Sequence, residues 1–328
     1  MAEKAIRVGV LGTGLFARRH LAVLATMPGV TVAAICGVDT ERTARIAHRY
    51  GATPYTAHLT MLEREHLDAL YVVIPPDAHT GQELDAVEHG VHLFVEKPVA
   101  LDLDLARRTA AALDRRGLIG SVGYNWRYLE GVDDVKRRIA PRDIALATGY
   151  WIGGLPRAPW WRRRDRSGGQ VVEQTTHIID LARYVLGEVA TITAMGVEGH
   201  ITDVPDYSMH DASAVSLRFT SGAIASIVSS CLLDALGDDD DHAGLELIGH
   251  GLWVKIGRAA TTVRVGRDTT IIASRLDPYA VENALFIAAV RSGDPGAICA
   301  PYADAVRTLQ VTSEATQAME DDAPRTTA

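Results

Sequence analysis

The chain has 328 residues, enough for two domains with sizeable cores. Its 33 basic and 41 acidic residues give a formal net charge of -8, which argues against a nucleic-acid binder. No apolar run approaches the ~20 residues needed to span a bilayer, so a membrane protein of the helical kind is not expected.

Cys36, Cys231 and Cys299 are far apart and lack metal-ligand spacing, so no metal site is expected of them. Met1-Ala2-Glu3-Lys4 runs straight into an apolar strand, leaving no room for a signal peptide. These features together predict a reducing, cytoplasmic setting.

Residues 6–11 read as a strand that enters Gly12-x-Gly14-x-x-Ala17, and a helical pattern follows at 15–27. In that spacing Gly12 permits a tight turn, Gly14 lets the backbone approach a pyrophosphate, and Ala17 lets the helix pack on the sheet. The helix start, at Leu15 and Phe16, offers N–H groups and a positive dipole end to phosphate. Strands are predicted at 31–36, 69–74, 92–95 and 118–123, with helices at 40–50, 78–89 and 102–116 between them. Such alternation predicts a doubly wound parallel sheet. The strand at 92–95 delivers Glu96-Lys97-Pro98, placing an amine at a carboxyl end, where open parallel sheets bind ligands. Proline stops that strand and biases Lys97 toward extended backbone.

The second half changes character after about residue 125. Period-two or β-rich runs at 144–152, 189–199, 211–219, 223–231, 244–249, 252–256 and 260–265 predict a mostly antiparallel sheet. Residues 278–292 and 301–319 read as helices, and the tail from Glu320 is polar. A capping-box pattern, Ser167 with Gln170, predicts one helix from there to near Gly187. On it Glu173, His177, Asp180 and Tyr184 share a stripe, opposite Val171, Ile178, Ala182 and Val185. A charged stripe of this kind reads as solvated surface or as the wall of a cleft. Residues 151–166 combine tryptophan, glycine, proline and arginine, either a loop over a cleft or a solvated basic loop. Asp238-Asp239-Asp240-Asp241-His242 reads as a solvated acidic loop rather than a metal clip.

Three of these segments together, the turn at Gly12 to Ala17, Glu96-Lys97-Pro98 and the helix from Gly168 through His177 and Asp180, resemble the glucose–fructose oxidoreductase / inositol dehydrogenase / MocA family of NAD(P)-dependent oxidoreductases. Val122-Gly123-Tyr124-Asn125-Trp126-Arg127-Tyr128 is similar to that family's crossover between domains, and the likeness covers nearly the whole chain. It implies an α/β protein: an N-terminal Rossmann domain with a doubly wound parallel sheet at 1–124, and a C-terminal α+β domain with an open, mostly antiparallel sheet at 125–328. It further implies a homodimer or homotetramer formed through that open sheet.

The same resemblance implies an enzyme that interconverts a secondary alcohol and a ketone on a sugar, cyclitol or related polyol, with Lys97 and His177 as the acid–base pair. An imidazole titrates near working pH and suits the hydroxyl proton; a buried ammonium suits the forming ketone oxygen. The family carries Asp four residues before the histidine, where this chain has Glu173, one methylene longer. Ser167 replaces the first of three family glycines, and Thr175 replaces another. The turn at Pro75, with His79, and the acid of Glu96 are expected on the nicotinamide side. Tyr124, Arg127, Trp161 and Asp180 are expected to meet substrate, with Asp180 equally readable as a structural carboxylate. The family's ribose-binding acid aligns with Gly37; its loss, with Thr40 and Arg42 nearby, favours NADP, while Asp39 reaching the ribose would favour NAD. Two other readings stay open: a dinucleotide-binding regulator without turnover, and a glycosidase that retains its cofactor.

Overall fold

The computed structural model describes residues 5–139, 144–233 and 242–321. The acid run at 238–241 lies outside the described residues. The chain divides into two units: the residues up to Asn125 together with Asp277–Val306, and Trp126–Leu276 together with the chain from Arg307. The first break lies one residue from the expected boundary. The expectation of an undivided second half is corrected, because residues 277–306 return to the first unit.

In the first unit, strands β1 (Ile6–Leu11), β2 (Val30–Cys36), β3 (Thr53–Tyr55), β4 (Ala69–Val72), β5 (His92–Val95) and β6 (Gly120–Val122) alternate with helices. The helices are α1 (Leu15–Leu24), α2 (Thr40–Tyr50), α3 (His58–Glu65), α4 (Gln82–Glu88) and α5 (Leu103–Arg116). All pairings are parallel, in the order β3-β2-β1-β4-β5-β6, a Rossmann sheet with its switch point between β1 and β4. Strand β3 and helix α3 escaped the sequence reading. Pro54 discourages a strand, and it is tolerated here because β3 is an edge. The returning segment supplies α10 (Pro278–Ser292), whose Phe286 meets the stacked rings of Tyr71 and Phe94 edge-on, 5.6 Å from each. That contact is why the Rossmann core needs residues from far along the chain.

The second unit begins with α6 (Val132–Ile139) and β7 (Ile144–Gly154), then three short helices, α7 (Arg164–Ser167), α8 (Gln170–Glu173) and α9 (Thr176–Leu186). Strands β8 (Val189–Val197), β9 (Ala212–Phe219), β10 (Ile224–Leu233), β11 (Ala243–Gly249), β12 (Leu252–Gly257), β13 (Ala260–Val265) and β14 (Asp268–Ala273) follow, and helix α11 (Tyr302–Asp321) closes the chain. The sheet order is β14-β13-β12-β11-β7-β10-β9-β8, antiparallel except for the β7–β10 pair. One face buries Ala147, Val215, Leu217, Ile227, Leu245 and Val254 against α9. The other leaves Met195, Ile224, Val228 and Ile248 exposed.

The single helix expected over 167–187 is corrected to three pieces. Gly168 and Gly169 both take positive φ, 79° and 87°, so the chain turns between α7 and α8. Ser167 ends α7 rather than capping the next helix: its hydroxyl donates to Arg163 O at 2.9 Å and accepts from Gly169 N at 3.1 Å. No helix among the described residues is long and apolar enough to cross a membrane.

Candidate active site

The first unit gathers its predicted site residues at the carboxyl ends of five neighbouring strands, β2, β1, β4, β5 and β6. Gly12 leaves β1 at φ 122°, and a Cβ there would run into the carbonyl of Val73, so only glycine fits. Gly14 precedes α1 in extended backbone, and a Cβ on it would meet nothing within 4 Å. The start of α1 has no side-chain cap and no acid in its first turn, so its N–H groups remain to be satisfied by something else. Open space at Gly14 and uncapped donors at Leu15 and Phe16 fit a pyrophosphate. Ala17 is fully buried and lets α1 lie close to the sheet.

At the end of β2, Gly37 is buried, and a Cβ there would lie 2.7 Å from both Thr13 Cγ2 and Thr43 Oγ1. The glycine is therefore held by crowding, a reason that its neighbours in sequence did not reveal. Asp39 turns back on its own helix as the cap of α2: its Oδ1 accepts from Arg42 N at 2.9 Å, and Oδ2 lies 3.6 Å from Arg42 Nε. Thr40 and Arg42 are exposed beside it. After β4, Pro75 leads a single 3-10 turn, Pro76–Ala78, and the buried His79 pairs through Nδ1 with Glu83 Oε1.

The turn after β5 is braced by backbone and side-chain contacts of Glu96. Glu96 is 7% exposed, and its backbone N–H donates to Val72 O at 2.9 Å, extending the pairing with β4. Its carboxylate sits 2.9 Å from His20 Nε2 through Oε1, and Oε2 accepts from the Lys97 backbone N–H at 3.1 Å. Gly123 must lack a side chain, because a Cβ there would stand 2.8–2.9 Å from the Glu96 carboxyl group. Lys97 itself is half-buried rather than buried, and its peptide bond to Pro98 is cis. Tyr124, 1% exposed, follows Gly123 at the end of the neighbouring strand β6.

In the second unit the side chains cluster on α9. Gly149 on β7 lets Ile178 approach the sheet, since a Cβ there would stand 2.6 Å from Ile178 Cγ2. Two residues on, on the same face of β7, Trp151 stacks on the His177 ring with centroids 5.5 Å apart and planes at 18°. His177 is 6% exposed. Glu173, 3% exposed, ends α8 and is separated from His177 by the break at Gln174 and Thr175. His177, Asp180 and Tyr184 therefore share a helix, and Glu173 belongs to the turn before it.

Asp180 and Arg127 are buried and grip one another: Arg127 Nε donates to Oδ2 at 2.6 Å and Nη2 to Oδ1 at 2.5 Å. Thr308 Oγ1 donates to the same carboxylate at 2.7 Å, and the Arg127 guanidinium lies 4.7 Å from the centroid of the Tyr184 ring. Of the two readings of Asp180, this geometry favours the structural one, and Arg127 follows it. Trp161 sits half-buried in a 3-10 turn and packs on Trp160, 5.6 Å between centroids. Three arginines of that loop are engaged within it and beside it: Arg162 on Pro156 O, Arg163 on Asp165, Arg164 on Glu198 and Glu320. Sequence reasoning put Trp151 in the loop of residues 151–166, whereas it lies on β7 against His177; it missed His20 and Glu282, which matter only through neighbours distant in the chain.

Against known proteins, the sequence matches the oxidoreductase family GFO/IDH/MocA, NAD-binding Rossmann fold, over residues 6–124, and the GFO/IDH/MocA C-terminal domain over residues 141–248. The scyllo-inositol 2-dehydrogenase (NAD(+)) of Bacillus subtilis (strain 168) is 29% identical over 238 residues, 70% of this chain and 68% of that protein. The dTDP-3,4-didehydro-2,6-dideoxy-alpha-D-glucose 3-reductase of Streptomyces antibioticus is 28% identical over 331 residues, 94% of this chain and 95% of that protein. Levoglucosan dehydrogenase in complex with NADH shares the fold at TM-score 0.85 and 18% identity, covering 96% of this chain and 97% of that one. With both family domains matched in order over more than half of its length, and a glycine turn that fits a pyrophosphate, the chain belongs to the GFO/IDH/MocA oxidoreductases and carries their NAD-binding Rossmann domain.

Proposed function

We propose that this chain is an NADP-dependent dehydrogenase or reductase, with NAD as the second choice, acting between a secondary alcohol and a ketone on a sugar, cyclitol or related polyol. The observation that carries this reading is the braced turn at Lys97: a half-buried amine at a sheet's carboxyl end, held by the Glu96 carboxylate through its own backbone N–H. A family member named for inositol and another named for a deoxyhexose support the substrate class.

Gly12, Gly14 and the start of α1 hold the pyrophosphate, and Pro75, His79, Glu96 and Lys97 lie toward the nicotinamide. The cofactor, when bound, supplies the hydride acceptor or donor. Lys97 Nζ donates to the substrate oxygen and stabilises the charge that develops there. The His177 imidazole takes the hydroxyl proton in oxidation and returns it in reduction. Glu173 orients His177 or accepts from a substrate hydroxyl, and Tyr124 and Trp161 offer aromatic faces to the ring. Preference for NADP rests on the missing acid at Gly37 and on the exposed Thr40 and Arg42, with Arg42 exchanging its exposed ion pair to the capping Asp39 for a 2′-phosphate. The exposed apolar face around Met195, Ile224, Val228 and Ile248 supports assembly into a homodimer or homotetramer through the sheet. Three free cysteines fit a cytoplasmic setting.

The test is nicotinamide absorbance on a panel of inositols and pyranoses, with NAD and NADP in parallel, for the parent enzyme and Lys97→Met. Turnover with one polyol class, falling by about 10²–10⁴-fold in Lys97→Met while cofactor affinity holds, is the expected result. Tight cofactor binding without turnover in either direction would replace this reading with the regulator or the cofactor-retaining hydrolase.

A further inference from the structure

A second ionisable cluster lies within the Rossmann unit, on the far side of the Glu96 carboxylate from Lys97 N–H. One ligating atom each from His20, Glu96 and Glu282 lies within 4.8 Å of the others, and all three residues are buried. Glu282, on α10, is 0% exposed, and neither of its carboxyl oxygens has a hydrogen-bond partner. His20 is held from both sides: Nε2 is 2.9 Å from Glu96 Oε1, and Nδ1 faces the Asn283 amide at 2.9–3.2 Å. The rings of Tyr71 and Phe94 wall it in, with centroids 5.6 and 5.0 Å from that of His20.

We propose that Glu282 is a positioning residue for Lys97: it is a neutral carboxylic acid that shares its proton with Glu96 and so locks the carboxylate that holds the Lys97 backbone. The inference rests on the role given to Lys97 above.

Charge accounting supports it. Two carboxylates and one imidazole in an apolar enclosure leave at least one uncompensated negative charge if both acids ionise, a state that burial penalises heavily. A proton on Glu282 removes that charge and gives its orphaned carboxyl group a donor, with a Glu96 oxygen within 4.8 Å as the acceptor. Burial, then Glu96, then Asp277 push the Glu282 carboxyl well above the ordinary carboxylate range, and only Arg19 opposes. Arg19 spends its charge elsewhere, on Asp277 at 3.1 Å and over the Tyr279 ring at 3.8 Å. The groups facing the cluster are thus Arg19 and His20 from α1, Tyr71 from β4, Phe94 and Glu96 from β5 and its end, and Asp277, Tyr279 and Asn283 from α10 and its cap. All three residues are buried, and His20 and Glu96 are already bonded to one another, which suits a proton better than a metal ion.

The experiment compares the parent enzyme with Glu282→Gln and Glu282→Ala. At neutral pH the parent is expected to show the infrared C=O stretch of a protonated carboxylic acid, absent from both variants. Glu282→Ala is expected to lower kcat about tenfold with cofactor KM held within about twofold, and Glu282→Gln, which keeps the donor and the volume, is expected to restore kcat. Stability of the parent should fall as pH rises from the ordinary carboxylate range toward neutrality and beyond, because the folded state keeps a proton that the unfolded chain releases; Glu282→Gln should flatten that slope. Absence of the infrared band, or its survival in Glu282→Gln, overturns the proposal even where Glu282→Ala fails to fold. Stoichiometric Zn²⁺ binding lost in Glu282→Gln would overturn it in favour of a metal site. Because the band and the stability slope do not involve turnover, they stand if Lys97→Met proves active and only the reading of Lys97 fails.

Discussion

The indole of Trp151 and the imidazole of His177 lie stacked, 5.5 Å between centroids, and the Arg258 guanidinium sits 5.1 Å from the same indole. A fixed ring plane suits the proton transfer we propose for His177, and a ring contact of this kind contributes about 0.5–1.5 kcal/mol. Trp151→Leu is expected to lower kcat about tenfold, and Trp151→Phe to recover most of it. Steady-state kinetics with the best polyol decides this; equal rates in both variants and the parent would remove Trp151 from the account.

Asp180 reads as a brace rather than a substrate contact, so its loss should appear in stability. Asp180→Ala takes the counter-charge from the buried Arg127 and is expected to cost about 3–5 kcal/mol, seen as a lower urea midpoint. A raised substrate KM at unchanged midpoint would return Asp180 to the substrate.

Cofactor choice is better tested at Arg42 than at Gly37. Arg42→Ala should raise the KM for NADP about tenfold and leave that for NAD within about twofold. Gly37→Asp must push aside Thr13 or Thr43, and such overpacking costs about 1–3 kcal/mol, so its effect on cofactor choice is readable only beside a stability measurement. Equal KM changes for the two cofactors in Arg42→Ala would end the argument for NADP.

Burial pushes the Cys36 thiol up to about 11. The unfolded chain ionises this thiol near its ordinary value of about 8.5, so between there and pH 11 the folded state holds the extra proton. Stability should therefore decline across that window, and less steeply in Cys36→Ala. A thiol reagent at neutral pH should reach Cys299, the one described cysteine that is not buried, before Cys36 or Cys231. Equal labelling rates would contradict the burial.

The parts legible in the sequence were those whose physics is local. The spacing of Gly12, Gly14 and Ala17 depends on a strand, a turn and a helix within twenty residues, and Pro98 marks its own turn. The helix at 278–292 was legible in its bounds, yet nothing in its pattern says which sheet it covers. Ser167-Gly168-Gly169 shows the opposite error: a capping-box match outweighed two glycines whose positive φ breaks the chain. Nothing in the pattern of that helix singles out Glu282, because a buried carboxyl group is defined by partners some 190 and 260 residues away.

The return of residues 277–306 to the Rossmann unit also sets an order of events during synthesis. The first 125 residues leave the ribosome with Tyr71 and Phe94 stacked on one another but lacking the ring of Phe286, whose own burial contributes about 1.5–3 kcal/mol. The nucleotide-binding half therefore waits, incompletely closed, through the translation of some 150 intervening residues. A nascent chain stalled just short of Pro278 should be sensitive to protease in its N-terminal half, and one extended past Val306 should resist it.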